Sequence, residues 1–313
     1  MKDISKNTMK SYRQSLIKKN LELRAQLIQS VRQFFKEKDY LEVETPHRIP
    51  APAPETHMDA QESDGWFLHT SPEMCMKRLL AAGFSRLFQI CRCFRKNERG
   101  GKHLPEFTML EWYGKGDDYQ DIMDQCEDLI RYVADIICVG LLCYQGETIN
   151  LLGNWPRMTV SAAFQQYASV SMEDSLTRDR FDEIMVSEIE PNLGRGRPLF
   201  LYDYPASRGA LARLKPQDPR LSERFELYIC GIELCNGFSE LNDPIEQRLR
   251  FEHEQAQRRL LGKSVYPMPE TFLESLAEMP PAGGNALGLD RLVMLFANAT
   301  QIDDVIAFIP EEL

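Results

Sequence analysis

The sequence predicts an α+β fold in which an antiparallel sheet is flanked by helices. Segments with strand character dominate the middle of the chain, and segments with helical spacing of apolar residues lie before and after them. With 313 residues, 43% of them hydrophobic and 27% charged, the chain has an ordinary globular composition. These observations exclude the disordered and fibrous classes of protein.

The elements follow one another without an internal repeat or a clear linker. Proline interrupts an early strand at Pro46, and Thr70 or Ser71 can cap the helix that begins after Pro72. Short helices and turns without clear chemistry are expected over 145–200. The other predicted elements are a helix over 12–35, a broken strand over 40–50, a strand over 66–69, a helix over 74–82, strands over 86–95 and 106–113, a helix over 121–137, strands over 199–204 and 224–236, a helix over 245–261, and a glycine-rich turn entering an apolar helix over 284–298.

Charge is distributed unevenly along the chain. The net charge is −10, yet residues 1–40 carry ten basic and four acidic side chains, which is a local charge of +6 and leaves −16 for the remainder. Proteins that bind nucleic acid through general charge attraction are usually basic, so the net charge argues against a nucleic acid as the partner. We predict a basic N-terminal extension over residues 1–20 and one domain over residues 21–313.

Hydropathy and cysteine spacing indicate the cellular compartment. The most apolar stretch, 133–144, is shorter than the roughly 20 residues that a bilayer span requires, and the first residues lack the apolar core of a secretory signal. The eight cysteines form no CxxC pair. We therefore predict a cytoplasmic protein whose cysteines are reduced and mostly buried, without a disulfide framework or a zinc site.

The segment 92–113 carries many charges between two predicted strands. Arg95 ends an apolar strand, where its guanidinium would project from a rigid element and match a phosphate with two hydrogen bonds. Phe107 begins the next strand, where its ring could stack on a base. This combination suits a nucleoside triphosphate, although a solvated hairpin loop can be equally charged.

The segment 224–240 holds a candidate metal pair. Cys230 and Gly231 can form a two-residue hairpin turn, which would place Glu226 and Glu233 on one face, opposite or diagonal to each other. Like charges there destabilise a sheet, and Mg²⁺ bound with substrate phosphates would remove that penalty. The alternative is a pair of solvated glutamates on an open face. Glu233, Asn236 and Glu240 lie close together along this segment and would suit recognition of a small cationic ligand.

The segment 286–295 runs from glycine into a helix. Gly288 allows close approach of the backbone to a ligand, and Arg291 near the helix start can reach a phosphate, although a glycine turn entering a core helix explains the same pattern. The sequence contains neither the G-x-x-x-x-G-K-[ST] loop nor a G-x-G-x-x-G turn after a strand. Together the three segments favour ATP bound on an antiparallel sheet.

These segments resemble the three motifs of class II aminoacyl-tRNA synthetases of the lysyl type. Residues 43–46 resemble motif 1, 94–113 motif 2 and 288–291 motif 3, while 70–73 and 231–240 resemble the lysine-binding segments. The match runs from about residue 20 to the C-terminus. A lysyl-tRNA synthetase carries an N-terminal anticodon-binding domain, for which we expect no room here. The chain therefore resembles the stand-alone paralogues of that enzyme, the elongation factor P–lysine ligases.

The resemblance implies an ATP-dependent, AMP-forming ligase that uses Mg²⁺. It would activate lysine or (R)-β-lysine as an aminoacyl-adenylate and transfer it to a lysine side chain of elongation factor P. It also implies a homodimer with the motif 1 proline, Pro46, at the interface. Two alternatives remain open, namely a truncated lysyl-tRNA ligase that charges tRNA and a regulatory paralogue without catalysis.

The resemblance also assigns site residues. Glu73 and Glu111 would hold the ammonium group near the reacting end, Asn236 the carboxylate, and Tyr113 and Glu240 the distal ammonium. The implied catalytic residues are Arg95 and Arg291; the implied ATP-binding residues are Arg95, Asn97, Glu98, His103, Phe107, Glu233, Leu234, Gly288 and Arg291; the implied substrate-binding residues are Ser71, Pro72, Glu73, Glu111, Tyr113, Asn236, Phe238, Glu240 and Ala286; and the implied metal ligands are Glu226 and Glu233.

The chain departs from the family pattern at two positions, and a third residue distinguishes it from the tRNA enzymes. The family places a glutamate two residues after the motif 2 arginine, whereas Asn97 stands there and Glu98 follows it, so either residue is a candidate for that role. Leu104 stands where the family often has asparagine. Ala286 occupies a position that is glycine in the tRNA enzymes, and its methyl group would reshape the amino-acid pocket.

Overall fold

The centre of the molecule is a nine-stranded sheet, seen in a computed structural model that describes residues 12–137, 141–209 and 211–313. Two smaller sheets of three and two strands accompany it in this part of the chain. The strands are β1 (Leu41–Glu42), β2 (Arg48–Ile49), β3 (Glu62–Ser63), β4 (Trp66–Leu68), β5 (Arg86–Phe94), β6 (Glu106–Lys115), β7 (Leu141–Tyr144), β8 (Glu147–Asn150), β9 (Arg157–Thr159), β10 (Leu199–Pro205), β11 (Leu214–Lys215), β12 (Asp218–Ile229), β13 (Ile232–Ser239) and β14 (Ala282–Gly288).

Helices surround this sheet. Asp118 caps one of them with a capping box, in which its side chain accepts from the backbone N–H of Asp121 and the Asp121 side chain accepts from the N–H of Asp118. The helices are α1 (Arg13–Leu16), α2 (Lys18–Glu37), α3 (Glu73–Ala81), α4 (Tyr119–Ile136), α5 (Val160–Tyr167), α6 (Met172–Thr177), α7 (Phe181–Ile184), α8 (Pro244–Leu260), α9 (Glu270–Leu276) and α10 (Leu289–Phe296).

The strand order of the large sheet is β1-β5-β6-β14-β13-β12-β10-β9, with β11 beside β12. Every pair from β5 to β10 is antiparallel, whereas β1–β5 and β9–β10 at the two edges are parallel. The predicted α+β class is thus confirmed, and the prediction of an antiparallel sheet needs correction at its edges. Each parallel edge pair is joined by a long connection that contains helices, as parallel pairing requires.

The two faces of the sheet have different roles. Side chains alternate between faces along a strand, so Leu110 and Trp112 of β6 enter the main apolar core together with Phe35 of α2. Met109 and Glu111 point to the opposite face and line a cavity. One face therefore supplies stability through burial against α2, α4 and α10, while the other is available for a ligand.

Most predicted elements are present with shifted ends. The N-terminal helix is interrupted at Ile17, which divides α1 from α2. The hairpin turn at Cys230 and Gly231 is confirmed, with φ of 52° and 68°. Three short strands, β7, β8 and β9, fall in or beside the region where only helices and turns were expected. The boundary at residue 20 stays a prediction, and α2 runs through it. Cys138, one of the cysteines predicted to be reduced, and residues 1–11 of the basic extension lie outside the described residues.

The prediction of a glycine-rich turn over 284–288 is wrong. This stretch is β14, which lies between β6 and β13 at the centre of the sheet. A Cβ atom on Gly284 would overlap the Tyr113 ring and the Glu240 carboxylate, so glycine is required for close approach of neighbouring groups rather than for a turn. The glycines, which are typical of a turn, are needed here because neighbouring side chains pack closely against the strand.

None of the helices in the described ranges is long and apolar enough to cross a membrane.

Candidate active site

A cavity of about 200 Å³ opens on the face of the sheet opposite the main core. Strands β6, β13 and β14 form its floor, and α3, the β5–β6 connection and the start of α10 form its walls. Of the residues predicted for the site, the cavity brings together Ser71, Glu73, Arg95, Glu98, His103, Phe107, Glu111, Tyr113, Glu233, Leu234, Asn236, Phe238, Glu240, Ala286, Gly288 and Arg291.

One end of the cavity is acidic. The Glu111 carboxylate accepts hydrogen bonds from the Tyr113 hydroxyl at 2.5 Å and from the Ser71 hydroxyl at 2.7 Å. Ser71 also accepts the backbone N–H of Glu73 at 3.0 Å, so this side chain supports the start of α3 although Pro72 occupies the cap position. Burial, followed by repulsion from Glu73, raises the pKa of Glu111 well above its usual range. A positively charged ligand would offset both costs.

A buried lysine pairs with two carboxylates that line this acidic end of the cavity. The Lys77 ammonium forms ion pairs with Glu73, at 2.5 Å, and with Glu240, and it lies 5.1 Å from the centre of the Phe238 ring. Burial lowers the pKa of Lys77, but the two carboxylates raise it by more, so this side chain is charged. Burial raises the pKa of Glu240 to about 8, with Lys77 acting in the opposite direction. The Glu240 carboxylate could therefore bind a second cation in addition to Lys77.

The other end of the cavity is basic. The Arg95 guanidinium lies 5.0 Å from the centre of the Phe107 ring, and its buried Nε atom has no hydrogen-bond partner. Arg291, in the first turn of α10, donates to the Glu233 carbonyl at 2.7 Å, and its Nη2 atom lies 2.6 Å from His103 Nε2. Burial and the Arg291 charge lower the pKa of His103. The unpaired guanidinium nitrogen indicates that an anion belongs at this end.

Three glutamates lie beside the basic end. A bulge between Leu227 and Tyr228 sets Glu226 opposite Asn236, so Glu226 and Glu233 are diagonal on the hairpin, as predicted. Burial raises the pKa of Glu226. Burial, followed by repulsion from Glu226 and Glu233, raises the pKa of Glu190 to about 7. This mutual repulsion is what a divalent cation would remove.

The cavity lining does not include three predicted residues. Pro72 lies at the cap of α3, and Glu226 is engaged by the Arg224 guanidinium and the Tyr228 hydroxyl, both at 2.6 Å. Asn97 is exposed in the left-handed conformation, with φ of 66°, whereas Glu98 lines the cavity. Of the two candidates for the motif 2 glutamate, this geometry favours Glu98.

Sequence reasoning missed several charged residues at the site. Lys77 lies four residues after Glu73 on a helix, a spacing that predicts contact between the two side chains and could have revealed it. Lys102 and Glu55 also line the cavity, and burial raises the pKa of Glu55 to about 7. Glu190 is remote from the motifs in sequence, and no local signal points to it.

The family model for class II tRNA synthetases (D, K and N) matches residues 2–312. The chain therefore belongs to the class II tRNA synthetases, in agreement with its sheet and with the cavity upon it. Among curated proteins it is similar to Elongation factor P--(R)-beta-lysine ligase of Vibrio atlanticus, with 40% identity over 93% of this chain and 95% of the relative. Proteins of the same name from Sodalis glossinidius and Pectobacterium atrosepticum are 40% identical over 93% and 92% of this chain, and over 95% and 94% of their own lengths.

Proposed function

We propose that this chain activates lysine or (R)-β-lysine with ATP and transfers it to a lysine side chain of elongation factor P in the cytoplasm. The observation that carries the proposal is one cavity with buried carboxylates at one end and an unpaired arginine at the other. The acidic end suits a diamine, and the basic end suits a triphosphate. The names of the relatives supply the candidate amino acid and acceptor.

The acidic end explains selection of a cationic side chain. Glu240 and Glu111 are buried carboxylates whose pKa values are raised by burial, and an ammonium group would stabilise the ionised form of each. A neutral side chain of similar size would leave Glu111 without a cation and Glu240 with Lys77 as its cation. Glu73 and Glu111 would bind the ammonium near the reacting carboxylate, and Tyr113 and Glu240 the distal one.

The basic end explains binding of ATP. Phe107 would stack on adenine, Arg95 would hold the α-phosphate, and Arg291 with His103 would hold the outer phosphates. The Glu98 side chain faces the same cavity and would contact the nucleotide. These groups are fixed by strands and a helix start, so they need little reorganisation when charge develops.

Glu226 and Glu233 fit a divalent cation. The Glu226 oxygens each accept one hydrogen bond in the structure, and a carboxylate offers about four acceptor sites, so ligand capacity remains. Their repulsion with Glu190 would fall when a cation binds. Mg²⁺ held there would neutralise phosphate charge.

The reaction proceeds in two displacements. In the first, a carboxylate oxygen of the amino acid attacks the α-phosphorus of ATP, the bond to the β-phosphate oxygen breaks, and pyrophosphate leaves. Arg95 would stabilise the charge that develops on the α-phosphate, and Asn236 would orient the attacking carboxylate. In the second, a neutral lysine amine of the acceptor attacks the adenylate carbonyl, AMP leaves, and the amine proton passes to solvent. The protein contributes positioning and charge stabilisation to both steps.

Acceptor choice tests this proposal directly. In one reaction with ATP, radiolabelled lysine or β-lysine, purified elongation factor P and total tRNA, we expect the label on the protein factor, because a chain of net charge −10 repels a polyanion over most of its surface. Intact mass spectrometry of the factor and acid precipitation of tRNA measure the two products. Label on tRNA with an unmodified protein would favour the truncated tRNA ligase. Absence of both label and pyrophosphate exchange would favour the regulatory paralogue.

We also propose a homodimer, because Pro46 and the preceding α2 correspond to the motif 1 elements that pair across a two-fold axis in the family that this chain resembles. Two-fold dimers are the commonest symmetric oligomers. Sedimentation at micromolar concentration should give about twice the 36.1 kDa mass of one chain. A single species at the monomer mass would contradict the proposal.

A further inference from the structure

A cluster of sulfur and nitrogen ligands lies beside the acidic end of the cavity. His69, Cys91 and Cys93 are buried, and one potential ligand atom from each lies within 4.8 Å of the others. The two sulfur atoms are 3.9 Å apart, and the Cys91 sulfur is 3.9 Å from His69 Nε2. Among the described residues, these three side chains are the cluster of histidine, cysteine or carboxylate groups spaced closely enough to hold a metal ion.

The fold brings these residues together in a rigid way. Cys91 and Cys93 are two apart on β5, so both project from the same face of the sheet. His69 directly follows β4. Its backbone is held against β5, the strand of the two cysteines, because the His69 carbonyl accepts the N–H of Phe94 at 3.0 Å. Met109 of the neighbouring β6 adds a thioether 3.9 Å from the Cys93 sulfur.

We propose that His69, Cys91 and Cys93 bind a thiophilic divalent cation, zinc under cellular conditions. This proposal is independent of the ligase activity. Two zinc–thiolate bonds of about 2.3 Å at a tetrahedral angle separate the sulfur atoms by about 3.8 Å, which is close to the observed spacing. Two thiolates also neutralise the charge of the cation, and a buried site requires such compensation.

Binding changes the protonation of the ligands. Both thiols lose a proton to solvent. His69 Nε2 lies 2.7 Å from the Arg92 carbonyl, an acceptor, so this nitrogen carries the ring proton in the metal-free protein. When Nε2 binds the cation, the proton moves to Nδ1 and the carbonyl contact is given up. Three protein ligands leave the fourth tetrahedral position to water.

The position gives the cation a structural role. Cys93 lies on β5 two residues before Arg95, which directly follows that strand, and His69 lies two residues before Ser71, which precedes α3. A cation between them would link the segment that carries the amino-acid ligand to the strand that carries the phosphate ligand. We therefore expect cation binding to stabilise the folded protein.

The test uses the full-length, untagged protein. Co²⁺ should bind one per chain and produce thiolate-to-cobalt charge-transfer absorption with tetrahedral visible bands, and Zn²⁺ should displace it. Cys93→Ser and His69→Gln should each weaken binding at least about 100-fold, and circular dichroism verifies their folding. Cys126→Ser is the matched control, because Cys126 and Cys235 are a buried pair 3.7 Å apart outside this three-ligand cluster; it should bind normally.

A measurement on the unmodified chain keeps the proposal testable if the variants fail to fold. Zn²⁺ should raise the midpoint of thermal unfolding by at least about 4 °C, and a chelator should reverse the shift. Absence of thiolate-to-cobalt absorption, equal loss of binding in Cys126→Ser, or binding of copper(I) without zinc would each overturn the proposal.

Discussion

Arg95→Ala is expected to slow adenylate formation by about 10²- to 10³-fold, the usual effect of removing one fixed donor from a developing charge. The Arg95 Nε atom is buried without a partner, and under the proposed function the α-phosphate, whose charge changes during reaction, would satisfy it. Pyrophosphate exchange at saturating lysine measures the rate of this step. A rate within about threefold of the unmodified protein would remove Arg95 from the reaction.

Two further variants define the role of this side chain. Arg95→Lys retains the charge but loses the planar fork, so it should recover only part of the rate. Arg92→Ala is the matched control from β5, the strand that ends just before Arg95, because the Arg92 side chain is half-exposed and pairs with Glu106 at the surface, 3.7 Å away. We expect near-normal exchange in this control. An equal loss in Arg92→Ala would indicate that strand β5 itself had been disturbed.

The strands that carry the site could be predicted because their signals are local. The apolar runs before Arg95 and after Glu106 have the length of strands, and the charged connection between them marks a loop. The hairpin around Cys230 follows from two adjacent residues that turn readily. Arg291 follows from its place just after a glycine at a helix start. In each case the chemistry depends on residues that are close in sequence.

The remaining features depend on packing between distant segments. Strand β14 resembles a turn in sequence, because the glycines that admit Tyr113 and Glu240 are also typical turn residues. The ion pair of Lys77 with Glu240 joins residues 163 positions apart, and no local sequence pattern near either residue predicts this contact. The choice between Asn97 and Glu98 required the backbone conformation of a loop. Sequence patterns thus located the motifs, and the structure supplied the charge balance among them.

Glu240→Gln is expected to abolish most of the selectivity for a cationic side chain. Glutamine keeps the shape of the side chain but cannot carry the charge that, under the proposed function, would face the distal ammonium. Loss of one partner from a buried charge pair costs about 2–5 kcal/mol, so the dissociation constant for lysine should rise at least about 30-fold. Norleucine, which lacks the distal ammonium, should bind the variant at least as tightly as the unmodified protein, because glutamine places no charge against its neutral end. Isothermal titration calorimetry measures both ligands, and Glu278→Gln, an exposed position, is the control.

The pH dependence of lysine binding separates this role from a general loss of structure. Burial raises the pKa of Glu240 to about 8; the Lys77 charge lowers it and repulsion from Glu73 raises it further. Tyr113 faces the same carboxylate. A bound ammonium favours the ionised form, so binding releases a proton below pH 8, and lysine affinity should rise from pH 6 to about 8 before it levels off. In Glu240→Gln the rise should be smaller, because glutamine does not titrate, and the remaining rise would come from Glu111 and Glu55, the other cavity carboxyls whose pKa burial raises. An unchanged pH profile in this variant would assign the distal ammonium to another group.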